Sequence, residues 1–212
     1  MVICEVAKRA RKLNSFQSIS LSLCISIVKI FALDLKMAGN PHYEGDPKAV
    51  EKINNGYNVK PRALNIVWGN DPRYWEVPSS SDSNKPAELL QVCWLEVTGS
   101  VDINPKKRCE VAFEVSLTPD AFGWGGAPVY IMAKRGKKGK FAWKKEPLIT
   151  SNNNNSNEGS EVFYIKTTSK PDPENLEDTK LYFGLYEVWS GKWKGGLKIN
   201  KVIVKELLDS SS

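Results

Sequence analysis

The sequence predicts an all-β fold, a β-sandwich of short antiparallel strands that is jelly-roll-like or of another connectivity. After Pro61, short β-branched and aromatic runs alternate with turn residues such as Pro, Gly, Asn and Ser. Within Cys109–Leu117, apolar and polar residues alternate with period two, which places one face in a core and the other towards water. No convincing amphipathic helix follows Pro61, apart from a short turn around Pro86–Leu90. With 212 residues, the chain can bury a sizeable core in one domain.

The strands are predicted in chain order from these runs. Leu89–Thr98 and Lys180–Trp189 are apolar on both faces, as in central strands, so Trp94 and Trp189 are predicted core residues. In the last run the alternation slips by one residue near Asn200, which predicts a β-bulge. The predicted strands are Ala63–Trp68, Leu89–Thr98, Cys109–Leu117, Val129–Lys134, Glu161–Thr167, Lys180–Trp189 and Leu197–Leu207.

Two segments precede the predicted domain at residues 61–208. Residues 37–60 are rich in Gly, Pro, Asn and charge and are predicted to be an irregular lead-in. Residues 1–36 carry six basic side chains against two acidic ones, which is most of the net charge of +6. They are expected to be an upstream extension of the gene model, since Met37 resembles an ordinary start. A targeting or membrane-associated segment and an amphipathic helix are the alternatives.

The sequence offers little for catalysis. His42 is the single histidine, so a Ser/His or Cys/His pair cannot form within the predicted domain. No zinc-ligand spacing, P-loop or GxGxxG motif is present, and no metal or cofactor is expected. The four cysteines lack CxxC spacing and are interpreted as structural or incidental thiols of a reducing compartment. The protein is therefore predicted not to be an enzyme.

The segment Asn65–Trp75 combines aromatic and short polar side chains. A predicted strand ends at Trp68, a turn containing Asn70 and Asp71 follows, and Tyr74 and Trp75 come directly after it. Aromatic rings can stack on the apolar CH faces of sugars, while amides and carboxylates bind sugar hydroxyl groups. The pattern fits either a carbohydrate-binding site or a core plug at the end of a strand.

Residues 134–145 form a basic run with seven basic residues and no acidic one. The run lies between two predicted strands, so a hairpin or loop is expected. A solvated loop, a nuclear-import signal and an RNA-binding patch are the three interpretations. The basic residues are Lys134, Arg135, Lys137, Lys138, Lys140, Lys144 and Lys145.

Three motifs, LNIVWGNDPRYW (64–75), AELLQVCWLEVTGSVD (87–102) and KWKGGLKINKVIVKEL (192–207), resemble the phloem protein 2 family, which includes the Nictaba-like plant lectins. The resemblance is to standalone members without an F-box. It implies a jelly-roll-like β-sandwich that binds N-acetylglucosamine oligomers or N-glycan cores without catalysis. It also implies that Trp68 and Trp75 contribute to sugar binding. The expected location is the cytoplasm, with the nucleus or phloem sap as further sites.

The sequence departs from the lectins in one respect. Two carboxylates associated with the sugar site in the lectins are matched here by Tyr164 and Ser169, and Glu161 is the nearest acid. This departure keeps an alternative open, a structural or interaction protein of the phloem with weak or no lectin activity. The expected partners are glycans or glycoproteins containing N-acetylglucosamine. RNA and a second copy of the chain are weaker candidates, and no membrane partner is expected.

Overall fold

A computed structural model describes residues 39–82, 84–148, 162–171 and 177–207. The predicted N-terminal extension (1–36), the polar run at 151–160 and Glu161 lie outside these residues. The chain divides into residues 1–40 and 41–212, and the fold given below is that of the second part.

The described residues form twelve strands in two antiparallel sheets. Strand β12 is central to the larger sheet, because β7 pairs along one edge of it while β2 and β5 share the other. The seven-stranded sheet contains β1 (Val50–Ile53), β2 (Gly56–Val59), β4 (Trp75–Glu76), β5 (Ala87–Leu89), β7 (Arg108–Phe122), β10 (Val162–Ser169) and β12 (Gly195–Leu207). The five-stranded sheet has the order β3 (Asn65–Ile66), β6 (Leu95–Asp102), β11 (Lys180–Glu187), β8 (Val129–Arg135) and β9 (Ala142–Glu146).

One hydrophobic core joins residues of the two sheets. Phe113 of β7 and Phe183 of β11 meet edge to face, with ring centroids 6.1 Å apart. Alternate residues of β6, β8 and β11 are buried, as period-two side-chain geometry requires for strands with one inner face. The predicted fold class, an all-β, jelly-roll-like β-sandwich, is confirmed.

The strand predictions are confirmed in outline and corrected in detail. The pairing of β12 with β7 shifts register between Ile199 and Lys201, which confirms the bulge predicted near Asn200. The predicted strand 89–98 is wrong as a single element, because β5 and β6 belong to different sheets and residues 90–94 connect them. The predicted turn at 86–90 contains β5 instead of a helical turn.

The prediction of core positions for Trp94 and Trp189 is wrong. Trp94 lies in the connection between the sheets and is 46% exposed. Trp189 follows the last residue of β11, Glu187, and is 59% exposed. Both runs are apolar on both faces in the sequence, but β6 begins at Leu95, after Trp94, and β11 ends at Glu187, before Trp189.

The prediction of an irregular lead-in at 37–60 is wrong for residues 50–59. These residues form the β1–β2 hairpin, and β2 pairs with β12. Strand β1 lies at the sheet edge, and its two central residues, Glu51 and Lys52, are charged and exposed. The folded unit therefore begins before the predicted boundary at residue 61.

A buried ion pair fixes the connection between β11 and β12. Glu187 and Lys194 have side chains that are 2% and 0% exposed, and their charged groups are in direct contact. Glu187 also accepts hydrogen bonds from the backbone N–H (3.0 Å) and hydroxyl (2.8 Å) of Ser190. Lys194 Nζ donates to the carbonyl of Cys93 at 3.2 Å, so the pair also fixes the connection between β5 and β6.

We expect Glu187→Gln to lower the free energy of unfolding by about 3–5 kcal/mol at neutral pH, because it leaves the buried Lys194 ammonium without its counter-charge. The double variant Glu187→Gln/Lys194→Met should regain most of this loss, since no buried charge remains. Urea unfolding followed by tryptophan fluorescence measures both changes.

The pH dependence of the same variants provides the control. Burial alone would raise the pKa of Glu187, but hydrogen bonds from Lys194 and Ser190 and the charge of Lys194 outweigh burial and hold the pKa below its ordinary value. The unfolded chain therefore takes up the proton first as pH falls. The stabilisation is complete above the ordinary glutamate pKa and is lost as pH falls through the lowered pKa of the folded state. A double variant with the same acid sensitivity as the wild type would contradict this assignment.

Candidate functional site

The turn after β3 holds Trp68 in a strained backbone conformation. Trp68 has φ = 65°, and it is the one non-glycine residue with positive φ in the described ranges. A bulky residue seldom adopts this conformation, and such outliers concentrate at functional sites. Two hydrogen bonds hold it: the N–H of Trp68 donates to Nδ1 of His42 at 3.0 Å, and its carbonyl accepts from the N–H of Asp71 at 3.1 Å.

Four aromatic side chains from three segments form a continuous row, which we call the aromatic row. His42 meets Trp68 at 5.3 Å between ring centroids, Trp68 meets Tyr74 at 5.8 Å, and Tyr74 meets Trp193 at 6.5 Å. His42 is exposed, Trp68 and Tyr74 are half-buried, and Trp193 is 46% exposed. The row therefore presents aromatic surface to solvent at the end of the sandwich where β12 begins.

Trp193 reaches the row because the chain before β12 is held closely against the turn after β7. A Cβ on Gly123, which has φ = 81°, would lie 2.0 Å from the carbonyl oxygen of Trp193. Only glycine allows this approach without a shift of the backbone. Trp124, the next residue, is buried and donates its indole N–H to the carbonyl of Gly195 at 2.9 Å. The glycine-rich sequence at 123–126 is thus a packed turn.

Polar groups flank the row. Asp71 accepts a forked pair of hydrogen bonds from the Arg73 guanidinium, at 2.9 Å from Nε and 2.6 Å from the terminal nitrogen. These hydrogen bonds, with the nearby charge, hold the pKa of Asp71 below its ordinary value despite partial burial. The guanidinium lies 5.3 Å from the ring centroid of Tyr74. Asn70 is exposed, and its amide donates to the carbonyl of His42 at 2.9 Å.

Trp75 is not part of this surface. Its side chain is 2% exposed and belongs to the hydrophobic core. The indole N–H has no acceptor among the described residues. Because its strand, β4, pairs with β5, the side chain turns inwards, whereas Tyr74 before it turns outwards. A direct contact between Trp75 and a sugar at the surface is therefore excluded, and that part of the prediction is wrong.

The structure thus brings together four of the five predicted residues, Trp68, Asn70, Asp71 and Tyr74. It adds His42 and Trp193, which sequence reasoning did not assign to the site. Both come from segments remote in sequence. The polar residues before Trp193, Ser190 to Lys192, are the local signal that this tryptophan lies outside the core.

The two positions matched to the lectin carboxylates are not beside the row. Ser169 is buried and pairs with Cys109 near the start of β7, whereas β7 meets the segment of Trp193 at its other end. Tyr164 pairs with Glu114 and donates its hydroxyl to that carboxylate at 3.2 Å. Glu161 lies outside the described residues. The carboxylate that adjoins the row is that of Asp71.

The basic run forms the β8–β9 hairpin, as predicted, but its members differ in their surroundings. Arg135 is 3% exposed and donates to the hydroxyl of Ser169 at 3.2 Å and to the carbonyl of Pro105 at 3.1 Å, so it is wrong to count it in a surface patch. Its alternating position on β8 directs it inwards. Lys144 pairs with Glu146. Lys137, Lys138, Lys140 and Lys145 are exposed, and Lys134 is half-buried.

Comparison with known proteins supplies the family. The family model described as phloem protein 2 matches residues 54–206. The chain belongs to the phloem protein 2 family. A relative from Arabidopsis thaliana, "Protein PHLOEM PROTEIN 2-LIKE A9", is 45% identical over 176 residues, which cover 78% of this chain and 96% of that protein. The family expected from the three sequence motifs is therefore confirmed.

Two further similarities are weaker, the first because it is short and the second because its identity is low. A Luffa acutangula protein named "Lectin" is 40% identical over 76 residues, which cover 33% of this chain and 36% of that protein. Among solved structures, the xylan-binding module CBM15 aligns with a TM-score of 0.41 and 11% identity, over 81% of this chain and 100% of the module. Structural similarity at that level supports no conclusion about this phloem protein 2 chain.

No group of three or more His, Cys, Asp or Glu side chains in the described ranges is arranged to hold a metal ion. Within the same ranges, no helix is long and apolar enough to cross a membrane.

The burial difference between two tryptophans gives a direct test of the site. We expect Trp75→Ala to lower the free energy of unfolding by about 3–5 kcal/mol, as large-to-small core substitutions do. Trp193→Ala should lower it by no more than about 1 kcal/mol, because almost half of that side chain is already exposed. Urea unfolding of the two variants measures the difference, and equal losses would contradict the assignment of Trp75 to the core.

Proposed function

We propose that the protein is a carbohydrate-binding protein and that the aromatic row is its sugar-binding surface. The observation that carries the proposal is the strained turn at Trp68, which holds that ring between His42 and Tyr74 at the surface. The exposed ring surface of Trp193 extends the row. Pyranose rings present apolar CH faces, and the rings of the row supply apolar area for them in a site that remains open to water.

Polar groups beside the row match the rim of a sugar. The Arg73 guanidinium lies over Tyr74, and its N–H groups outside the Asp71 fork can donate to hydroxyl or carbonyl oxygens. An N-acetyl group combines a methyl that packs on a ring with an amide that exchanges hydrogen bonds. This chemistry, the resemblance to Nictaba-like lectins and a relative named a lectin support N-acetylglucosamine oligomers or N-glycan cores as ligands.

The proposal does not include catalysis. General acid catalysis needs a carboxyl group that holds a proton near neutral pH. The Arg73 fork instead keeps Asp71 ionised and fixed in place. His42 Nδ1 accepts the N–H of Trp68, so this nitrogen has a structural role in the turn. The positions matched to the lectin carboxylates do not adjoin the aromatic row, so the proposed sugar contacts do not include them. The cytoplasm, with the nucleus or phloem sap, remains the location supported by the resemblance.

Titration calorimetry with chito-oligosaccharides tests the proposal. We expect the wild type to bind and Trp193→Ala to bind about tenfold more weakly or worse, since loss of one stacking ring costs about 1.4 kcal/mol or more. Trp94→Ala is the matched control, because Trp94 is 46% exposed, as Trp193 is, but is not one of the four rings of the row, and it should bind as the wild type does.

A glycan array separates the two parts of the proposal. Retention of another glycan that Trp193→Ala abolishes would support the aromatic row and reject N-acetylglucosamine as the ligand. No retention of any glycan by the folded wild type would reject carbohydrate binding altogether.

RNA binding through the basic hairpin is the second candidate. It is favoured by the exposure of Lys137, Lys138 and Lys140 in the turn between β8 and β9. It is weakened by the burial of Arg135 and the ion pair between Lys144 and Glu146. The positive charge that the hairpin can present to RNA phosphates is therefore smaller than the sequence alone predicts.

If RNA binds at this turn, the logarithm of its association constant should fall linearly with the logarithm of salt concentration, with a slope of about −0.7 per phosphate contact. The triple variant Lys137→Gln/Lys138→Gln/Lys140→Gln should reduce both affinity and slope. Fluorescence anisotropy with single-stranded RNA measures both, and binding that is insensitive to salt would reject this candidate.

A further inference from the structure

The outer face of the five-stranded sheet carries a second group of aromatic side chains. Outward and buried positions alternate along β6, β8 and β11, and the strand register aligns the outward residues in rows across the sheet. Neighbouring residues of a row lie on strands about 4.8 Å apart. We call this surface the outer face, and its rows are Glu96–Tyr186–Tyr130–Lys145, Thr98–Gly184–Met132–Trp143 and Ser100–Tyr182–Lys134.

Two tryptophans flank Tyr130 on this face. Trp189 meets the ring of Tyr130 at 4.5 Å between centroids, and Trp143 meets it at 6.0 Å. Trp143 is 61% exposed and Trp189 is 59% exposed, the largest exposures of tryptophan in the described residues. A cluster of exposed rings, unlike a single exposed side chain, indicates a binding surface. None of the three belongs to the aromatic row.

Tyr186 provides a ring that lies along the sheet. A Cβ added at Gly184 would lie 2.6 Å from the Tyr186 hydroxyl and 2.7 Å from its nearest ring carbons. The ring therefore covers Gly184 on the neighbouring outward position, and the side chain is half-buried. Burial, and then the charge of Glu96, raise the pKa of Tyr186, so the hydroxyl keeps its proton as a donor at neutral pH.

The charge of the outer face is positive. The ammonium of Lys145 lies 5.7 Å from the ring centroid of Tyr130, and that of Lys134 lies 4.9 Å from Phe141 and 5.9 Å from Tyr182. In the three rows, Glu96 is the one carboxylate, and it accepts the indole N–H of Trp94 at 2.9 Å. Cations held among aromatic rings match a ligand that carries both apolar faces and negative charge.

We propose that the outer face binds a linear polysaccharide with a carboxylate on its repeating sugar, a polyuronate. The CH faces of the sugars pack on Tyr186, Tyr130 and Trp143, and the carboxylates pair with the lysine ammonium groups. Hydroxyl side chains in the same rows, those of Thr98 and Ser100, exchange hydrogen bonds with sugar hydroxyls.

A single-stranded nucleic acid is the competing anionic ligand. Its planar bases stack on open ring faces. On the outer face, however, Trp189 meets Tyr130 at an interplanar angle of 62°, so the two rings do not form parallel platforms. The sugars of a linear chain are joined by single bonds that rotate, so their CH faces can meet rings at different angles, and the hydroxyl groups in the rows suit sugar hydroxyls. The proposal does not depend on the aromatic row, because the two surfaces share no side chain.

Calorimetric titration of the full chain with an oligogalacturonate and with its methyl ester tests the proposal. The ester keeps the sugar chain and removes the charge, so we expect the acid to bind about tenfold more tightly or better, with an affinity that falls as salt is added. Trp143→Ala should weaken binding of the acid about tenfold, and Lys145→Gln should weaken it severalfold. Both side chains are exposed, and circular dichroism confirms that the variants fold.

Two matched controls should bind the oligogalacturonate as the wild type does. Trp193→Ala removes an exposed tryptophan of the aromatic row, and Lys205→Gln removes an exposed lysine of β12. The proposal is overturned by an absence of binding, by equal binding of acid and ester, or by an equal loss in the controls. Tighter binding of poly(U) that Trp143→Ala also weakens would overturn it in favour of nucleic acid. Chito-oligosaccharide binding, tested separately, reports on the aromatic row alone.

Discussion

The buried ion pair between Glu187 and Lys194 is the interaction on which both exposed aromatic surfaces depend. It closes the connection from β11 to β12, which carries Trp189 to the outer face and Trp193 to the aromatic row. Lys194 also holds the connection from β5 to β6, through the carbonyl of Cys93 and through paired backbone hydrogen bonds with Val92 at 2.9 Å. One buried contact thus positions two connections between the sheets at the same end of the sandwich.

A pair of this kind contributes more to geometry than to stability. Removing two charges from water costs several kcal/mol, and the attraction between them offsets that cost only when further hydrogen bonds complete the site. Ser190 and Cys93 supply those bonds here. A pair of apolar side chains could fill the same space, but it would not fix the direction in which each connection leaves the core. The strained turn at Trp68 follows the same pattern, since hydrogen bonds from remote groups hold an unfavourable conformation at the surface.

Both surfaces depend on contacts between remote segments, and this explains which features the sequence could predict. Alternation within β7 and the slip near Asn200 are local patterns, and both describe the structure correctly. The burial of tryptophans depends on where a strand ends and which sheet it joins. Trp94 and Trp189 lie in apolar runs and are exposed, whereas Trp75 lies beside a polar turn and is buried. Contacts between remote segments, such as those of His42 and Trp193 with the Trp68 turn, leave no pattern in a single sequence.

The charges of the two surfaces are arranged differently, and this difference is the reason why we propose different ligands for them. In the aromatic row, Asp71 neutralises the nearest cation, Arg73, through a forked contact, so the surface suits an uncharged sugar. On the outer face, Lys134 and Lys145 lie over aromatic rings, where an anion can approach the ammonium groups and the apolar ring surface together. The two surfaces share no side chain, so a substitution in one can change its rings without disturbing those of the other, whereas loss of the buried contact would disturb both.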